Sequence, residues 1–340
     1  MGRIVTFGEI MLRLAPNDHL RFFQNDQLEA TFGGGEANVA VSLANFGEDV
    51  SYVTKVPDNV VGKAAVSTLR YFNVDTNFIT YGGDRLGIYF LEKGASQRGS
   101  VCIYDRKGSS ISMASKSDFD WNKIFEGADW FHFTGITPAL GAGLVEICED
   151  ALKAAKSKGL TISCDLNYRK KLWTKEEAKV AMTRLVKYVD ICIANEEDAK
   201  DVFGIELSNS DVTKGKLNNN DYIEVAKKLK EQFDFKYVAI TLRTSISASE
   251  NKWAGMLYNG KGAIFSKEYD LKIVDRVGGG DSFGAGLIYS LRNKYDDKKA
   301  LEFAVAASAL KHSIEGDFNR VSVSEVEKLA SGDASGRVQR

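Results

Sequence analysis

No run of about 18 apolar residues occurs anywhere in this 340-residue chain, so a membrane-spanning helix is not expected. Residues 1–10 offer no basic stretch leading into a long apolar one, so a secretory leader is not expected either, and the protein is placed in the cytoplasm. An excess of charge of one sign is also missing: 45 Lys and Arg stand against 46 Asp and Glu, a formal net charge of −1. No global field would hold nucleic acid or an anionic membrane; only a local patch could attract an anion. The four cysteines, Cys102, Cys148, Cys164 and Cys192, form no C-x-x-C pair, and at least two lie in apolar, strand-like runs. They read as reduced core residues. His19, His132 and His312 are too scattered for a metal site. Neither G-x-x-x-x-G-K-[ST] nor G-x-G-x-x-G is present, which removes the common phosphate-binding loops. No internal repeat is visible either.

What remains is a globular composition, 44% hydrophobic and 27% charged, with a regular rhythm. Short β-rich apolar runs at 4–7, 130–133, 160–164, 189–194 and 237–242 alternate with segments of helical spacing at 37–45, 60–72, 143–156, 175–187, 221–231 and 282–292. This alternation predicts β-α-β units and a mainly parallel sheet covered by helices on both faces, a three-layer α/β/α fold. Segments 12–32 and 86–113 break the rhythm: Gly87-Ile88-Tyr89-Phe90-Leu91 and Val101-Cys102-Ile103-Tyr104 alternate with period two. They are assigned to a small β lid inserted in a domain spanning 1–330, useful where water must be kept from a group transfer. Beyond residue 282 the pattern is helical only, at 298–313 and 324–329, and 331–340 reads as a frayed tail.

The most informative stretch is Asp275-Arg276-Val277-Gly278-Gly279-Gly280-Asp281-Ser282-Phe283-Gly284, which opens a helix of small residues. Consecutive glycines let backbone N–H groups crowd at a helix N-terminus, where the dipole favours an anion such as a phosphate. Asp281, in the first turn, is placed to act as base toward an attacking hydroxyl. The bland alternative is a mobile turn with an N-capping Asp. Gly280-Asp281-Ser282-Phe283-Gly284 also fits G-x-S-x-G, a nucleophile elbow, with His312 following in order; but no strands are expected downstream to carry the rest of a hydrolase triad. Nearer the start, Gly33-Gly34-Gly35-Glu36-Ala37-Asn38 sets a glycine turn before a helix, and an Asn amide can bind sugar hydroxyls.

Together, the early Gly-Gly-x-x-x-Asn turn, the lid and the late Asp-x-x-Gly-x-Gly-Asp helix start resemble the ribokinase-like (phosphofructokinase-B type) carbohydrate kinases, over residues 4–329. The resemblance implies Asp281 as catalytic base and the amides of Gly278, Gly279 and Gly280 as the anion hole. It implies ATP and Mg²⁺ as cofactors, with Asn167, Asn195 and Arg243 on the nucleotide side. Asn195-Glu196-Glu197-Asp198 resembles the family's Asn-x-x-Glu element, which helps organise magnesium; here Asp198, with its shorter reach, takes the last position.

Within the family, Tyr89-Phe90-Leu91-Glu92, Tyr104-Asp105-Arg106 and Asp165-Leu166-Asn167-Tyr168-Arg169 resemble 2-keto-3-deoxygluconate kinases, which phosphorylate a sugar acid at its 6-hydroxyl. Guanidinium groups suit a carboxylate, so Arg106 and Arg169 are its expected partners, with Gly34, Asn38, Tyr89, Tyr104 and Asp317 completing the sugar site. Arg276 departs from the family's small residue, and the loop 243–251 departs from its Lys- and Gly-containing nucleotide loop. A fructokinase or ribokinase acting on a neutral sugar, or a non-catalytic sugar-binding protein, would use the same frame. A homodimer through the lid is expected, because exposed sheet edges need covering.

Overall fold

The computed structural model describes residues 1–141, 143–195, 197–205 and 219–333. The main sheet holds β1 (Arg3–Phe7), β4 (Val50–Val56), β5 (Ile79–Tyr81), β8 (Ala128–Thr134), β9 (Thr161–Asp165), β10 (Ile191–Ala194), β11 (Tyr237–Ser245), β12 (Glu250–Tyr258), β13 (Ala263–Phe265) and β14 (Tyr269–Lys272). The lid sheet holds β2 (Met11–Ala15), β3 (Glu29–Gly33), β6 (Gly87–Glu92) and β7 (Val101–Asp105). The helices are α1 (Gly35–Asn45), α2 (Val60–Tyr71), α3 (Trp121–Ile124), α4 (Leu144–Ser157), α5 (Lys175–Leu185), α6 (Asp198–Phe203), α7 (Asn219–Phe233), α8 (Gly279–Arg292), α9 (Asp297–Lys311) and α10 (Val323–Ala330).

Strand order in the main sheet is β13-β12-β11-β10-β9-β8-β1-β4-β5, with β14 also on β12. From β11 to β5 every pairing is parallel; β12 joins antiparallel. The strands are apolar on both sides, as a doubly covered sheet demands. Ile191 and Ile193 face the core shared with α1, α2, α8, α9 and α10, while Cys192 and Ala194 face the core under α3 to α7. This is the three-layer arrangement read from the sequence. β4 escaped that reading because its run Val-Ser-Tyr-Val-Thr-Lys-Val is broken by polar residues. Ser51 is satisfied by Asp75 at 2.6 Å and Lys55 by Asp118 at 2.8 Å, so both fit a sheet interior. The β12–β14 hairpins likewise mix Asn, Lys and Asp with apolar residues.

Three cysteines are buried in the core, but Cys102 is half-buried on the lid instead. α8 and α9 are apolar nearly all round and pack closely: a Cβ on Gly286 would come within 2.8 Å of Ala304 Cα. At the start of α8, Ser308 of α9 donates its hydroxyl to the Gly279 carbonyl at 2.7 Å. Of the expected tail, 334–340 lies outside the described residues, as does Glu196.

Candidate functional site

A cleft of about 400 Å³ opens at the carboxyl ends of β1, β8, β9, β10 and β11, where open parallel sheets bind ligands, and the lid sheet forms its roof. At its centre α8 begins after Gly278, whose φ of 82° suits glycine. A Cβ there would lie 2.1 Å from the Asp317 carbonyl oxygen, and one on Gly279 would lie 2.5 Å from the His312 ring. Gly280 is different: it is exposed, and none of the described residues approaches its absent Cβ within 4 Å. The protein thus packs against two of the glycines and leaves the third facing open space, where first-turn amides lack intrahelical acceptors and can hold an anion.

Asp281 follows, half-buried on the cleft wall. Its Oδ2 accepts a hydrogen bond of 2.7 Å from Nδ2 of Asn38, and Asn38 Oδ1 accepts the Gly34 N–H at 3.2 Å. The glycine turn before α1 therefore aims one amide at one carboxylate. Burial pushes the Asp281 pKa up to about 6, against the pull of the Asn38 bond and of Arg169. A carboxylate poised there is a competent base near neutral pH. Gly34 itself is dictated by packing: a Cβ would strike the Glu9 carbonyl oxygen at 1.9 Å.

Arg169, just beyond β9, is exposed on the cleft and has no ion-pair partner among the described residues. Its field reaches Asp281, Asp165 and Tyr104. Asp165, which the sequence reading did not single out, is held well above its ordinary pKa by burial and by the neighbouring Asp198 and Asp281. Its Oδ1 accepts the N–H of Asn167, and Asn167 adopts φ 38° to make that turn. Asn195 and Asp198 bind one another's backbone: Asn195 Oδ1 accepts the Asp198 N–H at 3.1 Å, and Asp198 Oδ2 accepts the Asn195 N–H at 3.0 Å. The other Asp198 oxygen accepts the Tyr168 N–H, so this residue ties two cleft loops together.

The structure divides the two arginines expected to share a carboxylate. Arg106 is buried and ion-paired to Glu9, which also accepts 2.6 Å from Ser109. Its charge is countered from within, whereas Arg169 has no ion-pair partner among the described residues. Asp317 also lines the cleft and is itself held by partners. It is 4% exposed, pairs with Arg13 at 2.9 Å and accepts the Tyr89 hydroxyl at 2.5 Å. Tyr104 remains open to the cleft with its ring 6.0 Å from that of Tyr89, and burial pushes its phenol up to about 12. Glu9 and Arg13 were missed, yet Arg13 carried a signal. In the alternating strand Met11-Leu12-Arg13-Leu14-Ala15 it takes an inward position, where a cation requires a buried acid. It finds Asp317 and, at 2.5 Å, Asp275.

At the far end, Arg243 and Arg276 both line the cleft, and Arg276 donates to the Ala248 carbonyl at 2.9 Å. The nucleophile-elbow alternative fails on geometry: the Ser282 hydroxyl is buried and donates to the Gly278 carbonyl at 2.8 Å, inside its own helix. Among the described residues no group of three or more His, Cys, Asp or Glu is placed to grip a metal, and no helix is long and apolar enough to cross a membrane.

The chain matches the pfkB family carbohydrate kinase description over residues 1–319. It is 31% identical to 2-dehydro-3-deoxygalactonokinase of Haloferax volcanii over 337 residues, 98% of each chain. Its fold superposes on the crystal structure of 2-dehydro-3-deoxygluconokinase from Thermotoga maritima with a TM-score of 0.94 and 54% identity, over 97% of this chain and 98% of that one. A pfkB family carbohydrate kinase from Listeria grayi gives 0.90 and 36%, over 97% and 99%.

Proposed function

The chain belongs to the pfkB family of carbohydrate kinases, and we propose that its acceptor is 2-keto-3-deoxygluconate, phosphorylated at the 6-hydroxyl by ATP. One observation carries the reading: a half-buried carboxylate, Asp281, is held at 2.7 Å by Asn38 beside a glycine-lined helix start, with Arg169, which has no ion-pair partner among the described residues, acting on it. A sugar acid fits between those charges. Its carboxylate meets Arg169, flanked by Tyr104, and its terminal hydroxyl gives its proton to Asp281. Gly34, Tyr89, Arg106 and Asp317 form the wall behind it. Asn38 both positions the base and faces the sugar.

The glycine amides, with their Cβ-free space, suit the transferred phosphoryl group, and Arg243, Asn195 and Asn167 suit the rest of the nucleotide. Magnesium, carried on the nucleotide phosphates with its own waters, would supply charge neutralisation; Asp198 acts on that region by fixing Asn195. An enzyme that draws on ATP belongs in the cytoplasm. The outer face of the lid, with exposed Val101 and Ile103 beside half-buried Leu14, Ile88 and Phe90, suits a second copy of the chain.

The Haloferax relative's name points to a second reading, the C4 epimer 2-keto-3-deoxygalactonate. A coupled assay with both epimers, fructose and ribose tests the proposal: the gluconate-derived acid should give the highest kcat/KM. Equal efficiency with neutral sugars would overturn it, and preference for the epimer would replace it with the second reading. Size-exclusion chromatography should give a dimer, and substitution of Ile103 by Asp a monomer.

A further inference from the structure

We propose that Lys311 is a resident counter-ion of the anion loop, a buried ammonium that no ligand touches and that keeps the acidic ground behind Gly278 from repelling nucleotide phosphates. The inference rests on the kinase reading above. Lys311 ends α9, is 0% exposed and does not line the cleft. Its Nζ donates to the Ile314 carbonyl at 3.1 Å, and its Cε lies 3.2 Å from where a Cβ on Gly278 would stand. The ammonium is therefore directly behind the first glycine of the cradle.

A wholly buried ammonium is costly to desolvate, and an apolar residue of similar volume would fill the same space more cheaply. The charge itself thus needs a reason, and its neighbours supply one. Asp275 and Asp317, 2% and 4% exposed, each pair with Arg13; neither is within ion-pair distance of Lys311, and they act on its ammonium through their field. Two buried acids are matched by two buried bases. Asp275 in turn fixes the loop, accepting the N–H groups of Val277 and Gly316. Without Lys311 the set would carry one net negative charge in a poorly screened interior, immediately beneath amides that must attract a polyanion. The position at a helix C-terminus adds a favourable dipole. Burial holds the Lys311 pKa below its ordinary value, and Asp275 and Asp317 oppose that shift.

The test compares Lys311→Met, which fills the space without charge, with Lys311→Ala, which leaves room for a small cation. Each is assayed in sodium buffer with and without methylamine or ammonium, with tetramethylammonium as the oversized control. Both variants should lose about 10- to 100-fold in kcat/KM for ATP, the scale of one charged contact, while the sugar KM stays within about twofold. Methylamine or ammonium should restore Lys311→Ala at least tenfold but leave Lys311→Met and the control unchanged. A variant with near-normal kcat/KM for ATP, equal losses toward sugar and ATP, or no restoration of Lys311→Ala would overturn the proposal. So would failure of both variants to fold at 25 °C, which would make the residue's role one of folding. Wild-type turnover separates the two readings: an inactive wild type sinks the kinase assignment, whereas an active wild type with indifferent variants sinks only this one.

Discussion

The side-chain amide of Asn38 and the carboxylate of Asp281, 243 residues apart in the chain, meet at 2.7 Å. Because Asn38 Oδ1 is already engaged by the Gly34 N–H, the amide can present only its NH₂ to the acid. The two glycine turns are thereby joined by a single oriented contact. It stabilises the ionised acid and engages one of its two carboxylate oxygens.

Asn38→Ala should consequently raise the apparent pKa on the acid limb of the kcat/KM profile. A hydrogen bond to a charged group is worth about 1.5–3 kcal/mol, so the limb should move up by about one to two pH units. A profile that keeps its position while kcat falls would show that Asn38 acts only through the sugar.

Asp281→Asn should cost about 10²–10⁴-fold in turnover, measured with saturating substrates. Its stability should change in the opposite direction. The acid titrates at about 6 in the fold against 3.8 ordinarily, so the folded state binds more protons between those values. The stability gained by protonation is fully present below pH 3.8 and is lost as pH rises through 6. Removing the charge should thus stabilise the protein at pH 8, by at most about 3 kcal/mol, and not at pH 4. Urea titrations at the two pH values check the sign.

The two arginines should separate cleanly. Arg169→Gln should lower kcat/KM for the sugar acid by about 10- to 100-fold and leave Tm within a degree or two, since its guanidinium is exposed and has no ion-pair partner among the described residues. Arg106→Met should instead destabilise by about 3–5 kcal/mol, because Glu9 is left buried without its partner. Reversal of those two outcomes would mean that Arg106 carries the specificity.

Arg13→Met should be among the most destabilising single changes in the lid, about 3–5 kcal/mol, since two buried carboxylates lose their shared cation. Restoration of the midpoint by adding Asp317→Asn would show that the cost lies in the orphaned charge.

Much of this was legible from the residues. The period-two runs at 87–91 and 101–104 became β6 and β7, and the apolar runs became the central parallel strands, because burial on both faces leaves a simple pattern. The glycine triplet and Asp281 were visible because few other sequences put amides and an acid at one helix start. What escaped were pairings between distant chain segments. Nothing local says that Arg106 belongs to Glu9 or that Asp317 belongs to Arg13, since each partner is about 100 to 300 residues away. β4 was hidden by Ser51 and Lys55, whose polarity makes sense only beside Asp75 and Asp118.

The anchoring of the lid has a mechanical consequence. Arg13 and Tyr89 both reach Asp317, and Lys93 reaches Glu315 at 2.7 Å, so three polar tethers from two adjacent lid strands converge on one short bend of the body. Since Asp317 also sets its carbonyl against Gly278, any displacement of the cap would be carried to the start of α8 through one and the same residue.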